Sequence, residues 1–389
     1  MLKRYCHISV LLFLFIVLSG CSDQMEIDRI SFPVAMGIDF DETNNSIKVY
    51  AQISTTSSSL GGQPQTQKTF KMLEGQGDTL LDAMADITSK DSQNISWKHI
   101  TVVIITYKMA KHGISNELDL LCRFQQIHMN SYLMITDEDL KELLDSKPKI
   151  ESSLPSPLGG IRLISEQSSH SKAITIREFV MAYLNDGMEP IITKVSSTIG
   201  EGKEIEIDYP GLGVFKRDKL VGDLDEDETR GAILIYGRKN ISRISMPVSK
   251  NSKHKEFTIR SIRSVPEIIP DMQQNIPCIN IKLEIEYILA QSSIPTIIDT
   301  IEVDRINKQV EEYIMESAET AIFKTQKELS SDIFGFGEKI YRKYPKYWLE
   351  NKEHWNDIFP NININIEVKA NLKNTGGMLN SLKYLQEKD

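Results

Sequence analysis

The chain has 389 residues, with 45 Lys and Arg against 54 Asp and Glu, a formal net charge of −9. At about 100–200 residues per domain the length holds two or three folded units, and 40% hydrophobic with 25% charged residues is the composition of an ordinary globular protein. The acidic balance excludes non-specific nucleic-acid binding, which needs clustered cations against phosphates. A mean hydropathy of −0.26 excludes a multi-span membrane protein.

The first twenty residues read as an address. Lys3 and Arg4 form a short positive region, and Ile8 to Leu18 is apolar except for Ser9. As a helix that run rises about 16 Å, well short of a hydrocarbon core of about 30 Å. It is therefore a secretory signal core rather than a transmembrane helix. The following Leu18-Ser19-Gly20-Cys21 resembles the lipobox of bacterial lipoproteins: an aliphatic residue, two small residues and a Cys. The resemblance implies that the Cys21 Sγ takes a diacylglyceryl group and that cleavage makes Cys21 the mature N-terminus. Two acyl chains hold a protein stably on a bilayer. Of the other cysteines, Cys6 leaves with the leader, and Cys122 and Cys278 read either as two buried thiols or as one long-range disulfide.

Along the mature chain, Ile30–Ile38 and Ile47–Ile53 predict two strands joined by a polar turn at Asp41–Ser46. Residues 54–67, rich in Ser, Thr, Gly and Gln, read as an exposed loop. Leu80, Leu81, Met84 and Ile87 recur at helical spacing within Thr79–Lys90. Thr101–Tyr107 is a β-branched run of the kind buried in a parallel sheet. Helices follow at Asn116–Gln126, Asp137–Leu144 and Ile174–Leu184, with a strand at Ser131–Thr136. Beyond Gly200–Asp208 the pattern turns to strands: Gly211–Val221 and Ala232–Tyr236 flanking an acidic loop, then Ile241–Val248 and Glu256–Val265. Ile281, Leu283, Ile285, Tyr287 and Leu289 alternate with Lys282, Glu284 and Glu286, a strand with one wet face. Val303–Leu329 predicts one long helix with the stripe Ile306, Val310, Tyr313, Ile314, Ala318, Ala321, Ile322 and Leu329. Asn361–Leu372 alternates again.

These patterns predict a mixed α/β, α+β protein of several domains: a signal peptide over 1–20, an N-terminal α/β region of one or two sub-domains over 21–200, and a C-terminal α+β domain over 201–389. In the last, a largely antiparallel sheet packs on the one long helix.

Catalytic chemistry has no support in the sequence. The seven His are scattered, and there is no HExxH, CxxC, GxSxG or phosphate-cradling GxxxxGK[ST]. The run Asp223–Glu228 begins like a calcium loop, but Glu228 stands where that loop needs Gly and Leu234 where it needs Glu. It reads as a solvated acidic turn. No catalytic, cofactor or metal residue is assigned. The aromatic cluster Tyr341, Tyr344, Tyr347, Trp348, Trp355 and Phe359, interleaved with Lys339, Arg342, Lys343 and Lys346, is compatible with core packing, a protein anchor or a ligand cradle.

Two long segments resemble the Ger(x)C family of spore germination lipoproteins. One is Tyr209–Ile235, with Gly211, Val214, Phe215, Lys216, Asp218, Lys219, Leu220, Val221, Gly222, Glu228, Thr229 and Gly231 in the family pattern. The other is Asp332–Gly376, with DIFGFGEKIYRKYP, Trp348, Trp355-Asn-Asp-Ile-Phe359-Pro360 and Thr375-Gly376. Glu26–Asp39 is similar to the family's first strand. The resemblance implies a non-enzymatic C subunit of a nutrient germinant receptor, on the outer face of the spore's inner membrane, assembled with integral-membrane A and B subunits. The rival reading from the leader alone is a solute-binding lipoprotein of a transporter. A third is a cell-wall-active enzyme, for which no motif speaks.

Overall fold

A computed structural model describes residues 29–54, 70–145, 161, 169–199, 205–247, 255–292 and 300–374. Cys21 with its leader, and residues 55–67 of the expected loop, lie outside them.

The first layer is a mixed sheet. β1 (Ile30–Asp41) and β2 (Ser46–Ser54) form an antiparallel hairpin, and β3 (Phe70–Gly77) pairs with β2. The Asp41 carboxylate ties the connecting turn by accepting from the backbone N–H groups of Thr43 and Asn44. A two-residue strand β4 (Asn94–Ile95) meets the start of β1. Beside β1 lie β5 (Val102–Thr106), β6 (Tyr132–Thr136) and β7 (Ile191–Lys194), all parallel. A small ribbon, β8 (Ser196–Ile199) with β9 (Ile205–Asp208), precedes a second hairpin, β10 (Leu212–Lys216) with β11 (Lys219–Leu224). β10 pairs with β7, so the order is β11-β10-β7-β6-β5-β1-β2-β3. The sheet thus crosses the division expected at residue 200.

Helices cover both faces, which is why β5 is buried at every position and apolar from Val102 to Ile105. Its period-2 side chains separate two cores. Val102 and Ile104 join Ala35, Met134 and the Leu140, Leu143 and Leu144 side chains on one face. Val103 and Ile105 point to the other, under α1 (Leu80–Lys90), α2 (Tyr107–His112), α3 (Ser115–Arg123) and α5 (Ile176–Tyr183), with α4 (Leu140–Asp145) left on the first face. α1 starts where Thr79 accepts from the Asp82 N–H, and α5 starts at a Thr175–Glu178 capping box.

The second layer follows α6 (Glu226–Tyr236). Strands β12 (Arg238–Pro247), β13 (Lys255–Gln273), β14 (Ile276–Ser292) and β15 (Asn363–Asn374) lie side by side. The β13–β14 hairpin turns through Gln274 and Asn275, both at positive φ, the signature of a tight two-residue turn. β15 runs parallel to β14, so one of the three pairings is not antiparallel. Between β14 and β15 the chain forms α7 (Thr300–Phe323), a π-helical turn at Lys324–Glu328, and the short helices α8 (Phe336–Lys343), α9 (Pro345–Asn351) and α10 (Trp355–Ile358). Ile281, Leu283, Ile285, Tyr287 and Leu289 are buried with Ile306, Val310, Ile314, Ala318 and Ala321 of α7 in one core.

One element departs from expectation. Ala232–Tyr236 is the end of helix α6, not a strand. Asp225 caps the helix by accepting from the Glu228 N–H, and the Glu228 carboxylate accepts from the Asp225 N–H in return. The acidic run is therefore a helix start, where carboxylates also meet the positive end of the dipole. A five-residue apolar run carries too little period to separate strand from helix. Gly231 lets α6 press on α7: a Cβ there would sit 1.9 Å from the Ser317 carbonyl oxygen.

Candidate functional site: the junction of the two layers

The segments on which the family resemblance rests meet at one place. Asp332 lies between the π turn and α8 and is 2% exposed. Its Oδ1 accepts from the Phe336 N–H at 3.0 Å, and its Oδ2 accepts from the Gly337 N–H at 2.8 Å and the Trp355 Nε1–H at 3.0 Å. Gly335, at φ 69, supplies the left-handed step that turns those two amides inward. Burial pushes the Asp332 carboxyl up to about 7, against the pull of the three donors.

The same turn grips the first sheet. The Asp332 carbonyl accepts from the Glu189 N–H at 2.9 Å, and the Ser331 hydroxyl donates to the Phe215 carbonyl at 2.7 Å. Glu338 N–H donates to the Gly187 carbonyl at 3.1 Å. Gly187 has no room for a side chain, since a Cβ would lie 2.3 Å from that same nitrogen. The buried Glu189 carboxylate accepts from the Arg217 N–H at 2.6 Å, which fixes the β10–β11 turn. Burial holds that carboxyl above the ordinary range too. From α6, the Tyr236 hydroxyl donates to the Ile333 carbonyl at 2.9 Å.

Aromatic rings fill the space around these bonds. Phe334, Phe336, Phe359, Trp355 and Trp348 form a chain of ring contacts with centroids 5.3–6.3 Å apart. Phe215 meets Phe179 edge-on at 5.0 Å. Of the sequence cluster, Trp348, Trp355 and Phe359 are thus core, Tyr344 and Tyr347 are half-buried, and Tyr341 is exposed. Asp332 and Glu189 were not singled out in the sequence. The legible signal was an acid at the head of an apolar, glycine-spaced run, DIFGFG.

This arrangement locks elements; it does not present a reacting group. Among the described residues no set of three or more His, Cys, Asp or Glu converges as a metal site. Glu284 is exposed on β14, and Asp227 pairs with Arg230, whose guanidinium also donates to the Tyr313 hydroxyl at 2.9 Å. Cys122 and Cys278 are both free thiols, and Cys122 is exposed rather than buried, because it falls on the outer face of α3. Among the described residues no helix is long and apolar enough to cross a membrane.

The comparison with known families follows the same two halves. Residues 23–197 match the spore germination protein N-terminal domain, and residues 210–376 match the spore germination B3/GerAC-like C-terminal domain. This is a Ger(x)C family protein. Two curated relatives match it over nearly their whole length. Spore germination protein B3 of Bacillus subtilis is 24% identical, over 96% of this chain and 99% of that one. Spore germination protein KC of the same organism is also 24% identical, over 98% of each. The crystal structure of the GerBC protein matches with a TM-score of 0.53 at 20% identity, covering 88% of this chain and 98% of that one, which shows the Ger(x)C fold. The mixed α/β architecture read from the sequence is the architecture found. The residues that join the two layers are drawn from both matched segments.

Proposed function

We propose that this chain is the lipid-anchored C subunit of a spore nutrient germinant receptor. Acyl chains on Cys21 hold it on the outer face of the spore's inner membrane, and it works without catalysis, through contacts with integral-membrane A and B subunits. The observation that carries the reading is the end-to-end likeness to spore germination proteins B3 and KC. The Leu18-Ser19-Gly20-Cys21 segment supports the anchor. Each buried CH₂ is worth about 0.8 kcal/mol, so two acyl chains suffice for stable attachment. In this reading residues 1–20 are removed, and 21–200 and 201–389 act as two units joined through the β10–β11 hairpin.

The test is Cys21→Ala in the native host. The expected outcome is release of most of the protein from the spore membrane fraction and a weakened response to nutrient. Unchanged membrane retention would overturn the anchor. Affinity purification of the wild-type chain from spore membranes should bring two multi-span proteins with it, and their absence would overturn the subunit assignment.

A further inference from the structure

Another buried carboxylate, Glu117, differs in character from Asp332 and Glu189 of the junction. Between α1, α3 and the end of β1 there is a cleft of about 420 Å³. Its walls are apolar at Phe40, Leu81 and Leu120, and acidic at Asp78, Glu117 and Asp119. Leu81 is half exposed at 50%, an apolar side chain left at the rim. Glu117 is the notable wall residue. It is 6% exposed, and among the described residues no other residue offers its carboxylate a hydrogen bond or an ion pair.

Among the described residues no cation pairs with it. Asp218, whose backbone carbonyl holds the Ile114 N–H at 3.1 Å, brings a second carboxylate toward Glu117 from the β10–β11 turn. Lys219 lays its stem near Gly113 but forms no ion pair with Glu117. Arg123 is engaged by Asp119 at 2.8 Å. His112 stacks on Phe40 at 3.9 Å and closes one side. Burial first, then Asp218, hold the Glu117 carboxyl above the usual range. An acid buried without a partner is costly, and a cation delivered from outside removes that cost. Aromatic and aliphatic walls beside a carboxylate suit a ligand with one charged end and a hydrocarbon body.

We propose that this cleft is a binding site for a small organic cation, an alkylammonium whose charge meets Glu117 and whose hydrocarbon body lies on Phe40, Leu81 and Leu120. The site is independent of the receptor reading, because it rests on the geometry of the first layer alone. An amine of the same kind carried on a Lys side chain of another protein would use the same chemistry.

The experiment is calorimetric titration of the full-length chain in detergent with n-butylammonium, n-butanol and butyrate. Saturable binding of n-butylammonium, with n-butanol and butyrate at least about tenfold weaker, is the expected result. Equal binding of the neutral or anionic compound, or no saturation by the cation, overturns the proposal without any variant. Glu117→Gln should weaken the ammonium at least about tenfold, whereas Asp119→Asn at the rim should change it less than about twofold. Unchanged binding in the Glu117→Gln protein also overturns the proposal. Competition by a Lys-containing peptide, but not by its acetylated form, would identify the protein-borne source; competition by neither leaves the free amine as the ligand.

Discussion

Asp332 and Glu117 are both withdrawn from water, and the fold treats them in opposite ways. Asp332 receives three N–H donors, two backbone amides of α8 and the Trp355 indole, and is 2% exposed. Glu117 receives none from any other described residue and lines a cleft. The difference teaches where each contributes. A satisfied buried carboxylate specifies one arrangement of the elements around it, whereas an unsatisfied one leaves free energy for something that arrives later.

The largest expected effect is at the satisfied site. Asp332→Ala deprives three buried donors of their acceptor and should cost about 3–5 kcal/mol of unfolding free energy in urea. A loss under about 1 kcal/mol would erase the contrast with Glu117.

Next comes pH. The folded Asp332 carboxyl sits at about 7, against about 3.9 in an unfolded chain. The folded state therefore binds that proton more tightly. Its contribution to stability is complete below about pH 4 and is lost as pH rises through about 7, by on the order of 4 kcal/mol at most. Asp332→Asn should flatten this slope between about pH 4 and 7, and an unflattened slope would assign it to another group, such as Glu189.

A smaller effect tests the backbone contact rather than the charge. Gly187→Ala places a methyl 2.3 Å from the Glu338 nitrogen, so the two layers must part there, at about 2 kcal/mol by thermal or urea unfolding. Full tolerance would mean that the contact yields. The smallest effect is at the unsatisfied site. Glu117→Gln removes a charge that no described residue stabilises, so stability should hold or rise, by at most about 1 kcal/mol. A large destabilisation would show that Glu117, like Asp332, is a structural acid.

Much of the fold was legible because local patterns agreed with it. The alternation in β14 and the helical stripe of α7 each mark the face that is buried. The VVII run at Val102–Ile105, apolar at every step, marks a strand covered on both sides. The five apolar residues Ala232–Tyr236 carry a strand-like pattern by themselves, and it is the Asp225–Glu228 capping pair just before them that makes them a helix end. Cys122 is exposed against expectation because a thiol's burial depends on which way its helix faces. The junction was invisible as such: its donors at Phe336, Gly337 and Trp355 converge on Asp332 from positions up to 23 residues away in the chain.

The amino-acid order alone determined the class of the protein, its family and the periodic elements, because period, capping and ordered motifs are properties of neighbours in the chain. Only the tertiary structure decided which carboxylates lose water, which of them find donors, and that β10 and β11 pair into the first sheet across the expected boundary. Desolvation and long-range pairing depend on what packs from elsewhere, and no local pattern carries that information.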